Sequence, residues 1–158
     1  MMTIAITLHV LSAVIWVGGM FFAYMALRPV AAVLLEPPAR LSLWCNVFGK
    51  FFPWVWVCII SLLGSGYWMA LTLFGSFGNF PLFVNLMNGL GILMMLLFMH
   101  LFFAPYRRMK QALGADDLPT AGKKLAQIRM IIGINLILGL TVVIVGTAGD
   151  SLFHLMNH

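Results

Sequence analysis

His9 lies inside an apolar run that continues to Leu27, and an imidazole can donate, accept or ligate a metal through its two distinct ring nitrogens. At about 100° per residue, His9, Ser12, Ala13, Trp16 and Met20 fall on one stripe of a helix. An ionisable group at membrane depth is costly and turns toward a partner, a cavity or a ligand. Two readings of His9 follow: a hydrogen bond to another helix, for example to Asn135 or Thr141, or ligation of a metal or heme.

His100 is the second candidate, near the far end of another apolar run that closes at Pro105, Arg107 and Arg108. Its depth differs from that of His9 by on the order of 10 to 15 Å, so the two do not pair across one heme iron. His154 and His158 follow the last apolar run, where one of them completes a site with His9 or both are simply solvated. Twelve methionines, among them Met20, Met94, Met95 and Met99, supply soft thioether sulfur suited to Cu(I), although core packing accounts for most of them. The candidate metal ligands are thus His9, Met20, His100 and His154.

Catalysis by protein side chains alone has no support in this pattern. No Ser/His/Asp set or zinc motif occurs, and Glu36, Asp116, Asp117 and Asp150 all fall outside the apolar runs. Cys45 and Cys58 form no CxxC pair and read as structural.

The elements that must position these groups are membrane helices. The chain has 158 residues, of which 63% are hydrophobic and 8% charged, a balance that belongs to lipid and not to a soluble core. Four segments, roughly 4 to 27, 52 to 74, 83 to 104 and 130 to 149, have the about 20 apolar residues that a span requires. Only helices satisfy the backbone there, so the expected fold is an all-α four-helix membrane bundle forming a single domain over 1 to 158. The first run lacks a basic flank and a small-residue cleavage site, and reads as a retained helix.

All nine Lys and Arg residues, from Arg28 to Arg129, lie in the two long connections, while the connection 75 to 82 carries none. The positive-inside rule therefore predicts cytoplasmic long connections, with both termini on the outer face. The formal charge of +5 then serves lipid headgroups, and nucleic acid is not an expected partner. Ala121 to Gln127 suits a short headgroup-level helix.

Phe21-Phe22-Ala23 and Phe102-Phe103-Ala104 each close a span and lead to arginine, which suggests a parallel repeat of two helices. Glycines recur in every span, including Gly18, Gly19, Gly64, Gly66, Gly89, Gly91, Gly133, Gly139 and Gly146. They either let helices approach closely or leave gaps for the edge of a flat porphyrin.

The segment His9-Val-Leu-Ser-Ala-Val-Ile-Trp16-Val-Gly18-Gly19-Met20 resembles the opening helix of the CopD family of bacterial inner-membrane copper-resistance proteins. Phe51-Phe52-Pro53-Trp54, Gly64-x-Gly66-Tyr67-Trp68 and Ala104-Pro105-Tyr106-Arg107-Arg108 add to the resemblance. It implies copper binding or passage at the bacterial inner membrane, with His9 matching the family's first-helix histidine and Trp16, Gly18 and Gly19 its packing motif. Longer members carry further helices, so a four-helix chain is either a minimal unit or one that dimerises into a homo-oligomer. The same opening pattern is also similar to HemJ-type protoporphyrinogen oxidases, which implies heme b held by His9. Those enzymes use a lysine near a later helix, whereas Lys123 and Lys124 here belong to a connection. A third reading is a metal-free scaffold subunit whose basic connections hold anionic lipid.

Overall fold

The computed structural model describes the backbone of residues 1–156 and the side chains of residues 1–149. Every regular element among them is helical. Helix α1 (Met2–Phe22) carries no charge and passes through a widened π segment (Ala23–Leu27) into α2 (Arg28–Leu34). Leu35 and Glu36 are extended, because Pro37 and Pro38 push the preceding backbone out of the helical region. Proline is itself well placed in a first helical turn, and α3 (Pro37–Phe74) starts there. It stops at Gly75, whose φ of 79° is a conformation that glycine adopts without penalty. A short turn leads to α4 (Leu82–Leu101), a second π segment (Phe102–Tyr106), α5 (Arg107–Gly114) and α6 (Leu118–Met156).

The two halves repeat element for element. Lengths of 21, 5, 7 and 38 residues in the first are matched by 20, 5, 8 and 39 in the second. The phenylalanine pairs seen in the sequence mark where each half enters its π segment. Each π segment has a proline close by, Pro105 inside the second and Pro29 two residues past the first, whose missing N–H interrupts the ordinary i to i−4 ladder. Within each half the antiparallel partners pack most closely, α1 on α3 and α4 on α6. The halves then join through α6 against α1 and α3.

Four helices are long and apolar enough to cross a membrane, and the chain is a multi-pass membrane protein. At 1.5 Å per residue α3 is about 57 Å long, nearly twice the about 30 Å of hydrocarbon. At the ends that carry the basic residues the spans therefore continue as helix beyond the bilayer core instead of ending in irregular connections. Ala121 to Gln127 is accordingly not a separate short helix. It is the opening of α6, with Ala121, Leu125 and Ile128 buried together with Met109 and Ala112 of α5. The amphipathic α5 supplies an apolar face for it, which a lipid surface would otherwise have to provide.

Aromatic rings fill the half of the core beyond Trp16. Trp44, Phe48, Phe52 and Trp56 recur every four residues on α3 and share one stripe. Phe48 stacks on Phe52 at 5.1 Å, and Phe52 meets Tyr106 at 4.9 Å and Phe98 at 5.4 Å. Cys58 is buried and Cys45 half-buried, and both are free thiols.

The start of α6 makes a pH-dependent contribution. Asp116 closes the turn at φ 55°, a left-handed conformation that Asp tolerates better than most residues. Asp117 then caps the helix, with its carboxylate accepting from the Thr120 N–H at 3.1 Å. Hydrogen bonding from Thr120 holds this carboxyl below its ordinary value. A depressed pKa contributes stability above the unfolded-state value of about 3.9 and loses it as pH falls through the folded-state value. Acidification from pH 7 to 3 is expected to lower the thermal midpoint of the wild type more than that of Asp117→Asn, since asparagine caps without a charge. Equal losses in a pH series would refute the assignment.

Candidate metal centre

His9 is half-buried on the second turn of α1, where its ring reaches α3. Its Nδ1 lies 3.0 Å from Ser65 Oγ. The Ser65 hydroxyl hydrogen is already committed, because Oγ donates to the Ser61 carbonyl at 2.6 Å. Toward His9 that oxygen can only accept, so Nδ1 carries the ring proton. In the neutral imidazole this arrangement favours the Nδ1–H tautomer, which leaves the acceptor lone pair on Nε2. The same logic fixes metal-ligating histidines generally: the hydrogen bond of one ring nitrogen decides which nitrogen can ligate.

Gly66 makes this geometry possible. A Cβ there would stand 3.0 Å from His9 Cε1 and press the ring away from Ser65. The expected partners of His9 on α6 are thus corrected. Asn135 donates instead to the Met94 carbonyl at 3.1 Å, and Thr141 donates to its own helix at Ile137. Both stand on α6, whereas α1 lies most closely against α3.

The other members of the stripe have packing contacts. Ser12, Trp16 and Met20 are buried, which confirms that the His9 stripe is the inward face of α1. Trp16 packs edge-on against Phe98 of α4 with ring centroids 6.2 Å apart. Gly18 faces open space, while the room beside Gly19 is taken by the ring of Phe51. The inward glycines are likewise occupied by the protein's own side chains: Tyr24 at Gly133, Val17 and Met94 at Gly139, and Met87 at Gly146. Gly64, Gly89 and Gly91 have no neighbour at the position of a Cβ.

Among the described residues, the candidate ligands His9, Met20 and His100 are not brought together. Met20 is three helical turns from His9, about 16 Å along α1, and only 4% exposed. His100 is exposed on the outer face of α4. The side chain of His154 and all of His158 lie outside the described residues. No three His, Cys, Asp or Glu side chains converge among those described.

Sequence reasoning missed the residues that hold His9. Ser61 and Ser65 are spaced by four in an otherwise apolar span and followed at once by Gly66, a pattern that marks a small polar face. Two further polar contacts tie helices together: Tyr67 donates to Asn88 Oδ1 at 2.8 Å, linking α3 to α4, and Asn135 links α6 to α4. Asn135 Oδ1 is buried without a partner among the described residues.

A family model described as Copper resistance protein D matches residues 45–148, from the N-terminal part of α3 into the later part of α6. The matched stretch contains Ser61, Ser65, Gly66 and the aromatic core from Phe48 to Tyr106, while Trp44 and α1 with His9 precede it. No curated protein and no solved structure matches the chain.

Proposed function

Because this chain belongs to the copper resistance protein D family, and is a copper-resistance-related multi-pass membrane protein, we propose that it takes up copper at His9 on the outer side of a bacterial inner membrane. The observation that carries this reading is the His9–Ser65–Ser61 relay, which points a lone pair at Nε2 away from the hydrogen-bond chain. An imidazole nitrogen accepts both Cu(I) and Cu(II), and thioethers complement it for Cu(I). Copper here is cargo, and its further ligands at His9 come from groups that can approach the open side of the ring.

Orientation follows from charge. All nine basic residues lie toward the inner ends of the helices, so the positive-inside rule sets His9 near the outer face. Met20 and His100 are then separate, deeper contacts, and His154 is an additional outer one. Met20 becomes accessible only if the helices part around Trp16, so passage inward needs a conformational step, whereas binding at His9 does not.

Elemental analysis of the detergent-purified protein, with absorption spectra before and after dithionite, tests the reading. The expected result is copper without a Soret band. Iron with a Soret band would replace it with heme b at His9, and the absence of both metals after copper loading would overturn it.

A further inference from the structure

Arg28, Arg40 and Arg129 come from α2, α3 and α6, far apart in sequence; all three are half-buried, and Arg28 and Arg129 share one notch. Tyr24 organises the group. Its ring fits against Gly133 of α6, and the Arg28 guanidinium lies over it, 4.8 Å from the centroid. One helical turn before Gly133 stands Arg129, and a notch with room for about one water-sized group, ≈ 10 Å³, opens between Ala23, Tyr24, Arg28, Trp44, Arg129 and Ile132. Arg40, at the start of α3, does not line the notch, and its Nη1 donates to the Ala32 carbonyl of α2 at 3.4 Å.

These cations repel one another. Arg28 and Arg129 line the same notch, and no carboxylate is among its lining residues. The whole chain holds only four acidic residues, so it has little means of neutralising such a cluster from within. Like charges drawn from two elements and held on an apolar floor call for an anion from outside.

We infer that Arg28 and Arg129, with Arg40 nearby, form a binding site for a phosphate group, whose oxygens accept from guanidinium N–H groups at the rim of the notch. Guanidinium forks match phosphate oxygens in geometry as well as in charge. The notch sits where α1 leaves the apolar span and α6 enters it, which is the height of a lipid headgroup. Its floor of Trp44 and Ile132 is apolar, and the adjoining apolar faces of the spans suit acyl chains. An anionic phospholipid and free inorganic phosphate share this chemistry.

The test uses the whole protein, delipidated in detergent and offered phosphatidylglycerol, phosphatidylcholine or inorganic phosphate. Lipid retention is read by native mass spectrometry, and phosphate binding by the thermal midpoint. The expected result is a preference for phosphatidylglycerol over phosphatidylcholine of at least about tenfold, the scale of two or three basic contacts at a membrane surface. Arg129→Gln and Arg28→Gln each remove that preference. Lys123→Gln with Lys124→Gln, a change in bases outside the notch, retains it. A phosphate-dependent rise in the midpoint that Arg129→Gln abolishes, without lipid preference, keeps the site and assigns it to free phosphate. Wild-type behaviour of both arginine variants, confirmed as folded by circular dichroism, would overturn the site. So would an equal loss in the lysine pair, which would reveal diffuse surface attraction.

Discussion

His9→Ala is expected to lower the affinity for Cu(I) by more than about a hundredfold, because losing a ligand costs more than the about 10- to 100-fold lost with its hydrogen-bonded partners. Competition with a Cu(I) chelator on the purified protein measures this directly. Folding should be unaffected, since His9 is half-buried at the edge of the core and alanine is the best helix former. Ser65→Ala provides the finer arm of the same experiment. It leaves the ring in place but frees Nδ1–H from its acceptor, so the proton is no longer confined to one nitrogen and affinity falls by about tenfold. His100→Ala, on the outward face of α4, should leave the binding constant at His9 unchanged. Unaltered binding in His9→Ala would sink the site. Unaltered binding in Ser65→Ala, with loss in His9→Ala, would retain the ligand and discard the relay.

Phe52→Ala should produce the largest loss of stability, about 3 kcal/mol, near the lower end of the range for buried aromatic truncations. Phe52 is 3% exposed, stacks on Phe48 and meets Phe98, Phe102 and Tyr106 edge-on. Each such ring pair is worth about 0.5–1.5 kcal/mol beyond area burial. In a bilayer the unfolded reference is itself surrounded by lipid, so transfer from water contributes little and the cost is lost dispersion plus a cavity. Trp54→Ala is the control, because Trp54 is 58% exposed and its removal opens no cavity. Unfolding in mixed micelles of increasing detergent strength should separate the two variants clearly. A loss in Trp54→Ala as large as that in Phe52→Ala would show that the ring cluster does not hold the bundle together.

The same contrast explains what was legible beforehand. Hydropathy located the four spans, because lipid demands about 20 apolar residues for each crossing. It did not reveal that α3 and α6 run on for 38 and 39 residues. A helix continues wherever its backbone bonds are satisfied, and Pro37 and Asp117 mark the starts better than polarity does. The repeat of Phe-Phe-Ala hinted at two equivalent halves, and the paired π segments and their prolines, Pro29 and Pro105, give that hint a structural cause. Helical periodicity placed His9, Ser12, Trp16 and Met20 on one face, and three of them are buried. The partner of His9 was not legible, since Ser65 is 56 residues away and meets it only through the crossing of α1 and α3.

Glycine shows the same division. Spacing alone allowed either close helix packing or gaps for a flat cofactor, and the packed structure fills the inward gaps with Phe51, His9, Tyr24 and methionine side chains. The sequence by itself determined the helical class, the number of crossings, the charge asymmetry between connections and the inward face of α1. These depend on local periodicity and on the solvent that each residue type requires. Only the tertiary structure decided which serine meets the histidine, which glycine gaps are filled and which two arginines share a notch. Such pairings arise from the relative placement of helices whose contacting residues are remote in the chain, and periodicity within one helix carries no information about its neighbour.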